Sequence, residues 1–386
     1  MSTPLLSIRD LAVEFPNAKG AVRAVDSVNL DLWQGETLAI VGESGSGKST
    51  TAHAIINLLP GAGTIAGGSI IFDGQELVGA DSAVLEKIRG SQIGFVPQDP
   101  MSNLNPVWSI GFQVEEAIAA NNPGLDKKAV RAEAIAVLQK AGLADADKRM
   151  KQYPHQFSGG MRQRVLIGIG LSASPKLLIA DEPTSALDVT VQRTILDHLA
   201  TLTKASQTSV ILITHDLGLA AERAEKIVVM YRGKVVEAGP SVEVLKNPKH
   251  PYTQKLVAAR KAAPRKIHEG TEVAVSISNI SKVYQIKSGG FKSTPFTAVD
   301  NVSLEIKRGT TLALVGESGS GKSTVAKMLL GLERPTSGEI KVDGKNIAAM
   351  NARELFDLRR HMQPVFQDPY GSLDPLQNIA NTIAEP

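Results

Sequence analysis

The stretch Val41–Thr50 reads VGESGSGKST, and the same letters return at Val315–Thr324. Each copy follows a short apolar run and precedes a segment in which apolar residues recur with helical spacing. Glycines placed in this way let backbone N–H groups turn towards a phosphate, and the amino end of the following helix adds a favourable dipole. Lys48 would supply a charge for the β- and γ-phosphates of a nucleotide, and the Ser49 hydroxyl could ligate magnesium. The stretch therefore predicts a nucleotide-binding loop between a strand and a helix.

The chain contains an internal repeat that extends beyond this loop. Residues 24–30 return as residues 298–304, and the FVPQDP segment at 95–100 returns as VFQDP at 365–369. The order is the same and the spacing is nearly equal, which indicates tandem duplication of one domain rather than a solenoid. We therefore expect a complete nucleotide-binding domain with a C-terminal extension at 5–260, a linker at 261–272, and the N-terminal part of a second such domain at 273–386.

The first copy alternates strand-like and helix-like patterns. Apolar runs at 36–42, 177–180 and 210–214 predict buried strands, and three- and four-residue apolar spacing predicts helix within 114–143. Strands that alternate with helices in this way indicate a largely parallel sheet covered on both faces. The expected fold class is α/β.

Two acidic residues follow the apolar run at 177–180. Asp181 suits a water-mediated hold on magnesium, and Glu182 suits polarisation of an attacking water. Two acids after a buried strand are weak evidence when they stand alone. Here the PTSALD segment at 183–188 follows them, and the nucleotide-binding loop precedes them in the same domain, which strengthens the prediction.

Composition excludes several classes of protein. The 42 basic and 39 acidic residues leave a net charge of +3, scattered along the chain, which does not indicate nucleic-acid binding. With no cysteine, the sequence cannot form disulfides, cysteine-ligated zinc sites or iron–sulfur clusters. It shows no signal peptide and no uncharged apolar run of about 18 residues. We expect an intracellular protein that reaches a membrane only through a partner.

The segment FSGGMRQ at 157–163 resembles the signature peptide of ABC ATPases. The resemblance implies a P-loop NTPase of ABC type, with a RecA-like mixed-sheet core, an antiparallel β subdomain and an α-helical signature subdomain. It also implies that Gln98 is the Q-loop glutamine, which senses the γ-phosphate and ligates magnesium. Residues 185–188 match the D-loop, and His215 matches the switch histidine that contacts the γ-phosphate.

The same resemblance implies a set of nucleotide and metal contacts. The family stacks adenine on an aromatic residue upstream of the loop, which fits Phe15 and, in the second copy, Tyr284; for Phe15 a plain core position is the alternative. The expected nucleotide contacts in the first copy are Phe15, Gly42, Glu43, Ser44, Gly45, Ser46, Gly47, Lys48, Ser49, Thr50, Ser158, Gly159 and Gly160. In the second copy they are Tyr284, Gly316, Glu317, Ser318, Gly319, Ser320, Gly321, Lys322, Ser323, Thr324 and Gln367. The expected catalytic residues are Glu182, His215 and Gln98, and the expected magnesium ligands are Ser49, Gln98, Asp181, Ser323 and Gln367.

Three longer segments point to one branch of the family. Residues 94–106, 153–165 and 247–256 (NPKHPYTQKL) resemble the oligopeptide, dipeptide and nickel uptake ATPases, including members with two domains in one chain. The resemblance implies an ATP- and Mg²⁺-dependent energy-coupling subunit of an importer for peptides or related small solutes. It would act with two integral membrane permease subunits and, indirectly, a substrate-binding protein, at the cytoplasmic face of the bacterial inner membrane. The iron–sulfur cluster of some members does not transfer, because this sequence has no cysteine.

The second copy departs from the family pattern. It ends soon after Gln367, so the sequence holds no second signature, magnesium aspartate, catalytic glutamate or switch histidine. We expect a second domain that is truncated after its N-terminal part, with hydrolysis requiring the first domains of two chains to pair. Two alternatives stay open: a soluble ABC protein that acts on ribosomes or DNA, and a non-catalytic regulatory fragment. The short linker and the lack of zinc-binding cysteines argue against the first alternative.

Overall fold

The structure is a computed structural model that describes residues 3–18, 20–185, 187–260, 272–287, 293–317, 319–366 and 373–384. The chain divides into two compact units, residues 1–263 and residues 264–386. Each unit has a hydrophobic core of its own. Most of the expected linker at 261–272 lies outside the described residues.

The first unit alternates strands and helices. Its strands are β1 (Leu6–Asn17), β2 (Gly20–Leu32), β3 (Thr37–Val41), β4 (Thr64–Phe72), β5 (Gln75–Glu76), β6 (Ile93–Val96), β7 (Leu177–Asp181), β8 (Ser209–Thr214), β9 (Lys226–Tyr231) and β10 (Lys234–Pro240). Its helices are α1 (Lys48–Ile55), α2 (Ser82–Ile88), α3 (Ile110–Asn121), α4 (Lys127–Lys140), α5 (Ala146–Arg149), α6 (Gly159–Leu171), α7 (Val189–Ser206), α8 (Leu217–Arg223), α9 (Ser241–Lys246) and α10 (Pro251–Arg260). A 3-10 turn spans Pro154–Gln156.

The central sheet of this unit has the strand order β10-β9-β3-β8-β7-β6. Strands β3, β6, β7, β8 and β9 run parallel, and β10 pairs antiparallel with β9. Strands β7 and β8 are buried along their whole length, as expected where a parallel sheet is covered on both faces. The carboxyl ends of β3, β7 and β8 meet at one edge of the sheet. The residues that follow these strands are therefore brought together there.

An antiparallel sheet of order β2-β1-β4-β5 packs beside this core. Its inward side chains, such as Leu6 and Ile70, join one apolar cluster with Ile40 of β3, Ile55 of α1 and Ile213 of β8. This shared cluster fixes the antiparallel sheet against the helix that follows the glycine-rich loop.

The helical region between β6 and β7 has a second apolar cluster. Val114 of α3, Leu138 of α4 and Ile167 of α6 meet Leu178 of β7 there. Ser109, Asp126 and Ser158 cap the three helices, and each side chain accepts a backbone N–H of its helix. The expected helix within 114–143 is thus two helices, α3 and α4.

The opposite face of the central sheet is covered by α8, α9 and α10. A third apolar cluster contains Val41 of β3, Ala220 of α8, Val244 of α9 and Tyr252 of α10. Through Tyr252 the C-terminal extension reaches the end of the strand that leads into the glycine-rich loop.

The second unit has a smaller described core. Strands β11 (Val273–Lys287), β12 (Ser293–Lys307), β13 (Ser337–Val342) and β14 (Lys345–Asn346) form a sheet of order β12-β11-β13-β14. Its helices are α11 (Lys322–Leu329), α12 (Ala352–His361) and α13 (Ile379–Ala384). Val325 and Met328 of α11 pack against this sheet. Over the described ranges of both units, no helix is long and apolar enough to cross a membrane.

Candidate functional site

The glycine-rich loop of the first unit connects β3 to α1. Gly45 and Gly47 have φ angles of 77° and 97°, in the left-handed region that favours glycine. A Cβ atom at Gly47 would also lie 2.7 Å from the carbonyl oxygen of Ala24. Any other residue at this position would strain the loop.

Lys48 lies at the start of α1 and folds back along the loop. Its Nζ donates to the carbonyl oxygens of Gly42 at 2.8 Å and Glu43 at 2.9 Å, and only 5% of the residue is exposed. Burial lowers the pKa of the Lys48 ammonium, while the negative charges of Glu182 and Asp181 act in the opposite direction. The loop thus holds a cation in place through its own backbone.

The Ser49 hydroxyl and the Asp181 carboxylate are hydrogen-bonded. Ser49 Oγ donates to Asp181 Oδ1 at 3.1 Å, which joins the start of α1 to the end of β7. Asp181 is 2% exposed. Burial raises the pKa of the Asp181 carboxyl, and the hydrogen bond from Ser49 partly opposes this effect. The pair places a hydroxyl and a carboxyl oxygen next to the loop.

Glu182 follows directly and receives two hydrogen bonds. Its Oε2 accepts from Gln98 Nε2 at 3.2 Å and from His215 Nδ1 at 3.2 Å. Its backbone has a φ angle of 43°, a left-handed conformation that is uncommon for a glutamate. The backbone N–H of Glu182 donates to the carbonyl oxygen of Ile213 at 3.0 Å, which helps to hold this turn. The side chain of Glu182 is 12% exposed and that of His215 is 63% exposed, so the group opens to solvent on the histidine side.

Gln98 is tied to the segment after Glu182 as well. The Ser185 hydroxyl donates to the Gln98 carbonyl oxygen at 3.1 Å. Three loops from three strand ends are therefore joined by hydrogen bonds at one edge of the sheet. Ala186, within the expected 185–188 segment, lies outside the described residues, and Asp188 caps α7 by accepting the N–H of Val191.

The signature segment lies in the helical region. Ser158 is exposed at the amino end of α6, where its hydroxyl accepts the N–H of Met161 at 3.3 Å. A Cβ atom at Gly160 would lie 2.8 Å from Val191, so only glycine lets α6 approach α7 this closely. Among the described residues of the first unit, no hydrogen bond or ion pair joins Ser158, Gly159 or Gly160 to the Lys48 and Glu182 group.

Phe15 stands apart from that hydrogen-bonded group. It is half-buried near the end of β1 and packs against the apolar cluster that includes α1. A Cβ atom at Gly63 would lie 2.5 Å from its ring. The ring therefore has one face fixed by packing, and its exposed part is compatible with either expected role.

The second unit repeats part of the loop geometry. Lys322 Nζ donates to the carbonyl oxygens of Gly316 at 2.7 Å and Glu317 at 2.6 Å. Tyr284 donates through its hydroxyl to Glu333, with Lys282 Nζ 5.2 Å from the ring centroid. Ser323 lies in α11. Ser318 and Gln367 lie outside the described residues.

Two residues that the sequence analysis did not single out touch the loop. The ring nitrogen Nδ1 of His53 lies 2.7 Å from the carbonyl oxygen of Ser49. The hydroxyl of Tyr252 in α10 accepts the backbone N–H of Glu43 at 2.8 Å. His53 could have been suspected because it lies one turn after Ser49 on α1, whereas Tyr252 is far away in sequence and gives no local signal.

Comparison with known sequences gives two kinds of similarity. The sequence profile of the ABC transporter family matches residues 25–185 and 299–382. The chain is 41% identical to the peptidoglycan transport ATP-binding protein YejF of Agrobacterium fabrum, over 99% of this chain and 70% of that protein. It is 40% identical to the glutathione import ATP-binding protein GsiA of Pectobacterium atrosepticum, over 99% of this chain and 67% of that protein. It is 36% identical to the oligopeptide transport ATP-binding protein OppD of Mycobacterium bovis, over 100% of this chain and 76% of that protein.

Solved structures support the same relationship. The dimeric ATP-binding cassette MJ0796, in a post-hydrolysis state with ADP and Pi, is 30% identical. The match covers 61% of this chain and 98% of that one, with a TM-score of 0.56. The cbiO1 protein of Clostridium perfringens, part of an ABC transporter complex, is 26% identical with a TM-score of 0.53, over 67% of this chain and 94% of that one. These matches confirm the expected fold class.

Proposed function

Since this chain belongs to the ABC transporter family as an ATP-binding, ATP-hydrolysing protein, we propose that it drives the import of peptides or peptide-like solutes through separate membrane subunits. The observation that carries the proposal is the hydrogen-bonded group at the carboxyl edge of the central sheet. There a buried lysine, a buried aspartate and a glutamate with two hydrogen-bond donors surround one glycine-rich loop. This combination suits phosphoryl transfer from a nucleoside triphosphate to water.

We assign nucleotide binding to the loop and its helix. Backbone N–H groups within 44–50 and the Lys48 ammonium bind the phosphates, and Phe15 stacks on adenine. The signature residues Ser158, Gly159 and Gly160 bind the γ-phosphate held by the loop of a partner domain. Pairing of two such domains is supported by the dimeric cassette MJ0796.

A magnesium ion fits the residues beside the loop. Mg²⁺ prefers oxygen ligands and completes its shell with water and substrate phosphates. The Ser49 hydroxyl would ligate it directly, and Asp181 would hold it through water, with Gln98 as a further oxygen ligand. No three acidic or histidine side chains converge on a metal site in the described parts of the chain, so the nucleotide itself would have to supply ligands. When bound, the ion would neutralise charge on the β- and γ-phosphates.

We assign the hydrolytic step to Glu182. As a carboxylate it accepts a proton from the attacking water, and the donors Gln98 and His215 orient it for this purpose. The side chain of His215 is 63% exposed next to Glu182, and we propose that it contacts the γ-phosphate. Ser323 and Tyr284 would serve the loop of the second unit in the same way as Ser49 and Phe15. We propose nucleotide binding for Ser318 and Gln367 as well, which lie outside the described residues.

We place the membrane partner on the segment that follows Gln98. Met101, Val107, Trp108 and Phe112 expose large apolar side chains there, and the rings of Trp108 and Phe112 stack with centroids 4.5 Å apart. An exposed apolar patch next to a nucleotide-sensing residue suits the docking of an integral membrane subunit at the cytoplasmic face of the membrane. The peptide-like cargo rests on the names of the three relatives.

Single-cysteine crosslinking tests this assignment, since the chain has no native cysteine. In cells that carry the neighbouring genes, a photocrosslinker on Trp108→Cys or Asn103→Cys is expected to capture an integral membrane protein. Gln34→Cys, at the amino end of β3 on the opposite edge of the sheet, is the matched control and should not capture it. Capture of ribosomal protein or nucleic acid at Trp108 would overturn the importer proposal.

A further inference from the structure

The C-terminal segment 247–260 makes a direct contact with the nucleotide-binding loop. The hydroxyl of Tyr252 accepts the backbone N–H of Glu43 at 2.8 Å, across 209 residues of sequence. Tyr252 is buried, and its ring belongs to the apolar cluster that includes Val41 at the end of β3. The contact therefore joins the C-terminal extension to the first residues of the loop.

Several hydrogen bonds hold Tyr252 in this position. The Glu237 carboxylate of β10 accepts the backbone N–H groups of Lys249 and His250, each at 3.0 Å. His250 Nδ1 accepts the N–H of Tyr252 at 3.2 Å, and the Tyr252 ring stacks on Tyr231 with centroids 4.3 Å apart. The tyrosine is thus fixed both at its backbone and at its ring before it meets the loop.

The residue that Tyr252 holds is itself a support for Lys48. The carbonyl oxygen of Glu43 accepts from Lys48 Nζ at 2.9 Å and from the N–H of Ser46 at 3.2 Å. The N–H of Glu43 donates to Tyr252, and its carbonyl oxygen accepts from Lys48, so both backbone polar groups of this residue are held by hydrogen bonds. Gly42 cannot carry a side chain in this conformation, because a Cβ atom there would lie 2.2 Å from the carbonyl oxygen of Met230.

We propose that Tyr252 is a positioning residue for ATP binding, and that segment 247–260 braces the nucleotide-binding loop of the first unit from its C-terminal side. Tyr252 does not touch the reacting atoms. It keeps the loop in the conformation in which its N–H groups and Lys48 meet the phosphates. The inference rests on the proposal that this loop binds ATP.

Loss of the hydrogen bond between Tyr252 and Glu43 should weaken ATP binding rather than slow the hydrolytic step. When only a fraction of the protein is in the conformation that binds ligand, the apparent Kd is the intrinsic Kd divided by that fraction. One hydrogen bond contributes about 0.5–1.5 kcal/mol, which corresponds to about a two- to twelvefold change in that fraction. Once ATP is bound, its phosphates hold the loop, and turnover at saturating ATP should change little.

The test is Tyr252→Phe, which keeps the stacked ring and removes the hydroxyl. It is made in a full chain that also carries Lys322→Ala, so that the second unit's loop does not obscure the measurement. We expect the Kd and KM for ATP to rise about two- to twelvefold and kcat to stay within about twofold. The thermal midpoint should rise less on addition of ATP than it does in the parent chain. Tyr231→Phe, which removes the hydroxyl of the neighbouring ring, is the control and should leave KM within about twofold.

The outcomes separate this inference from the proposed function. Unchanged Kd and KM in Tyr252→Phe, with normal ATP binding by the parent chain, would overturn the positioning role alone. An equal rise of KM in Tyr231→Phe would show that the effect is not specific to the Tyr252 hydroxyl and would overturn it too. A parent chain that binds no ATP would instead overturn the nucleotide assignment itself.

Discussion

The Ser49 hydroxyl donates a 3.1 Å hydrogen bond to the Asp181 carboxylate, and so joins residues 132 positions apart. Burial raises the pKa of this carboxyl above its value in the unfolded chain. Between the unfolded and the folded pKa, the native state therefore binds more protons than the unfolded state. The free energy of unfolding falls as pH rises through that window, and at neutral pH the ionised aspartate weakens the fold.

The first prediction follows from the loss of stability that the buried, ionised Asp181 carboxylate causes. Asp181→Asn keeps a hydrogen-bond partner for Ser49 and removes the buried charge. The thermal midpoint, measured without nucleotide or Mg²⁺, should therefore rise by about 2–4 °C. This is the shift that about 1 kcal/mol of stability produces in a domain of about 150–250 residues. The gain should be present at neutral pH, shrink as the pH falls from the folded towards the unfolded pKa of the aspartate, and be absent below the unfolded pKa. Mg²⁺-dependent ATPase activity should fall about 10–100-fold, as for loss of a residue that holds a metal through water.

Calorimetry at several pH values and steady-state ATPase assays check both parts. Asp147→Asn removes an exposed aspartate of α5 and should change neither the midpoint nor the rate. A midpoint that falls in Asp181→Asn at neutral pH would contradict the argument from burial.

The second prediction concerns the proposed general base. Glu182→Gln should lower turnover by at least about 100-fold, because an amide cannot accept the proton of the attacking water. ATP binding should persist, and the variant should accumulate an ATP-bound dimer. Equilibrium nucleotide binding and sedimentation measure the two effects.

The matched control for that variant is Glu86→Gln, an exposed glutamate on α2. It should hydrolyse ATP like the parent chain. If Glu182→Gln turned over within threefold of the parent, Glu182 would lose its assigned role.

The third prediction addresses the orientation of Glu182. His215→Ala removes the 3.2 Å hydrogen bond to Glu182 Oε2, and a hydrogen bond to a charged group contributes about 1.5–3 kcal/mol. Turnover at saturating ATP should fall about 10–100-fold, and ATP affinity should change much less. His155→Ala, at an exposed histidine outside this group, should behave like the parent. Steady-state kinetics that show a large rise in KM with unchanged kcat would point to ground-state binding instead.

Much of the fold could be predicted from local pattern. The buried apolar runs gave β3, β7 and β8 close to their observed bounds, because a strand covered on both faces must be apolar throughout. The sequence also predicts a helix directly after the glycine-rich loop, and α1 begins there at Lys48. The division of 114–143 into α3 and α4 was not predicted, because it depends on Asp126 as a helix cap after a short turn.

The candidate site was only partly readable in the sequence. Asp181 ends β7, and Gln98, Glu182 and His215 lie just after β6, β7 and β8. Parallel strands bring such residues to one edge of the sheet. Their hydrogen-bonding partners, and the left-handed conformation of Glu182, depend on the packing of loops from different strands. The contact between Tyr252 and Glu43 depends on α10 folding back over the sheet, which no local pattern encodes.

The duplicated stretch VGESGSGKST separates what the local sequence determines from what depends on tertiary structure. In both units the local sequence produced the same turn, with two left-handed glycines and a lysine bonded to two backbone carbonyls, because φ preferences and short hydrogen bonds are local. The residues before it differ: Thr37–Val41 forms a central strand with Val41 fully buried, whereas 311–315 forms no strand and Val315 is 88% exposed. Strand β3 exists because β8 and β9 pair with it on both sides, and the described residues of the second unit contain no such partners. A strand needs hydrogen-bonding neighbours that its own sequence cannot supply, so the sequence determined the loop and only the tertiary structure decided the strand.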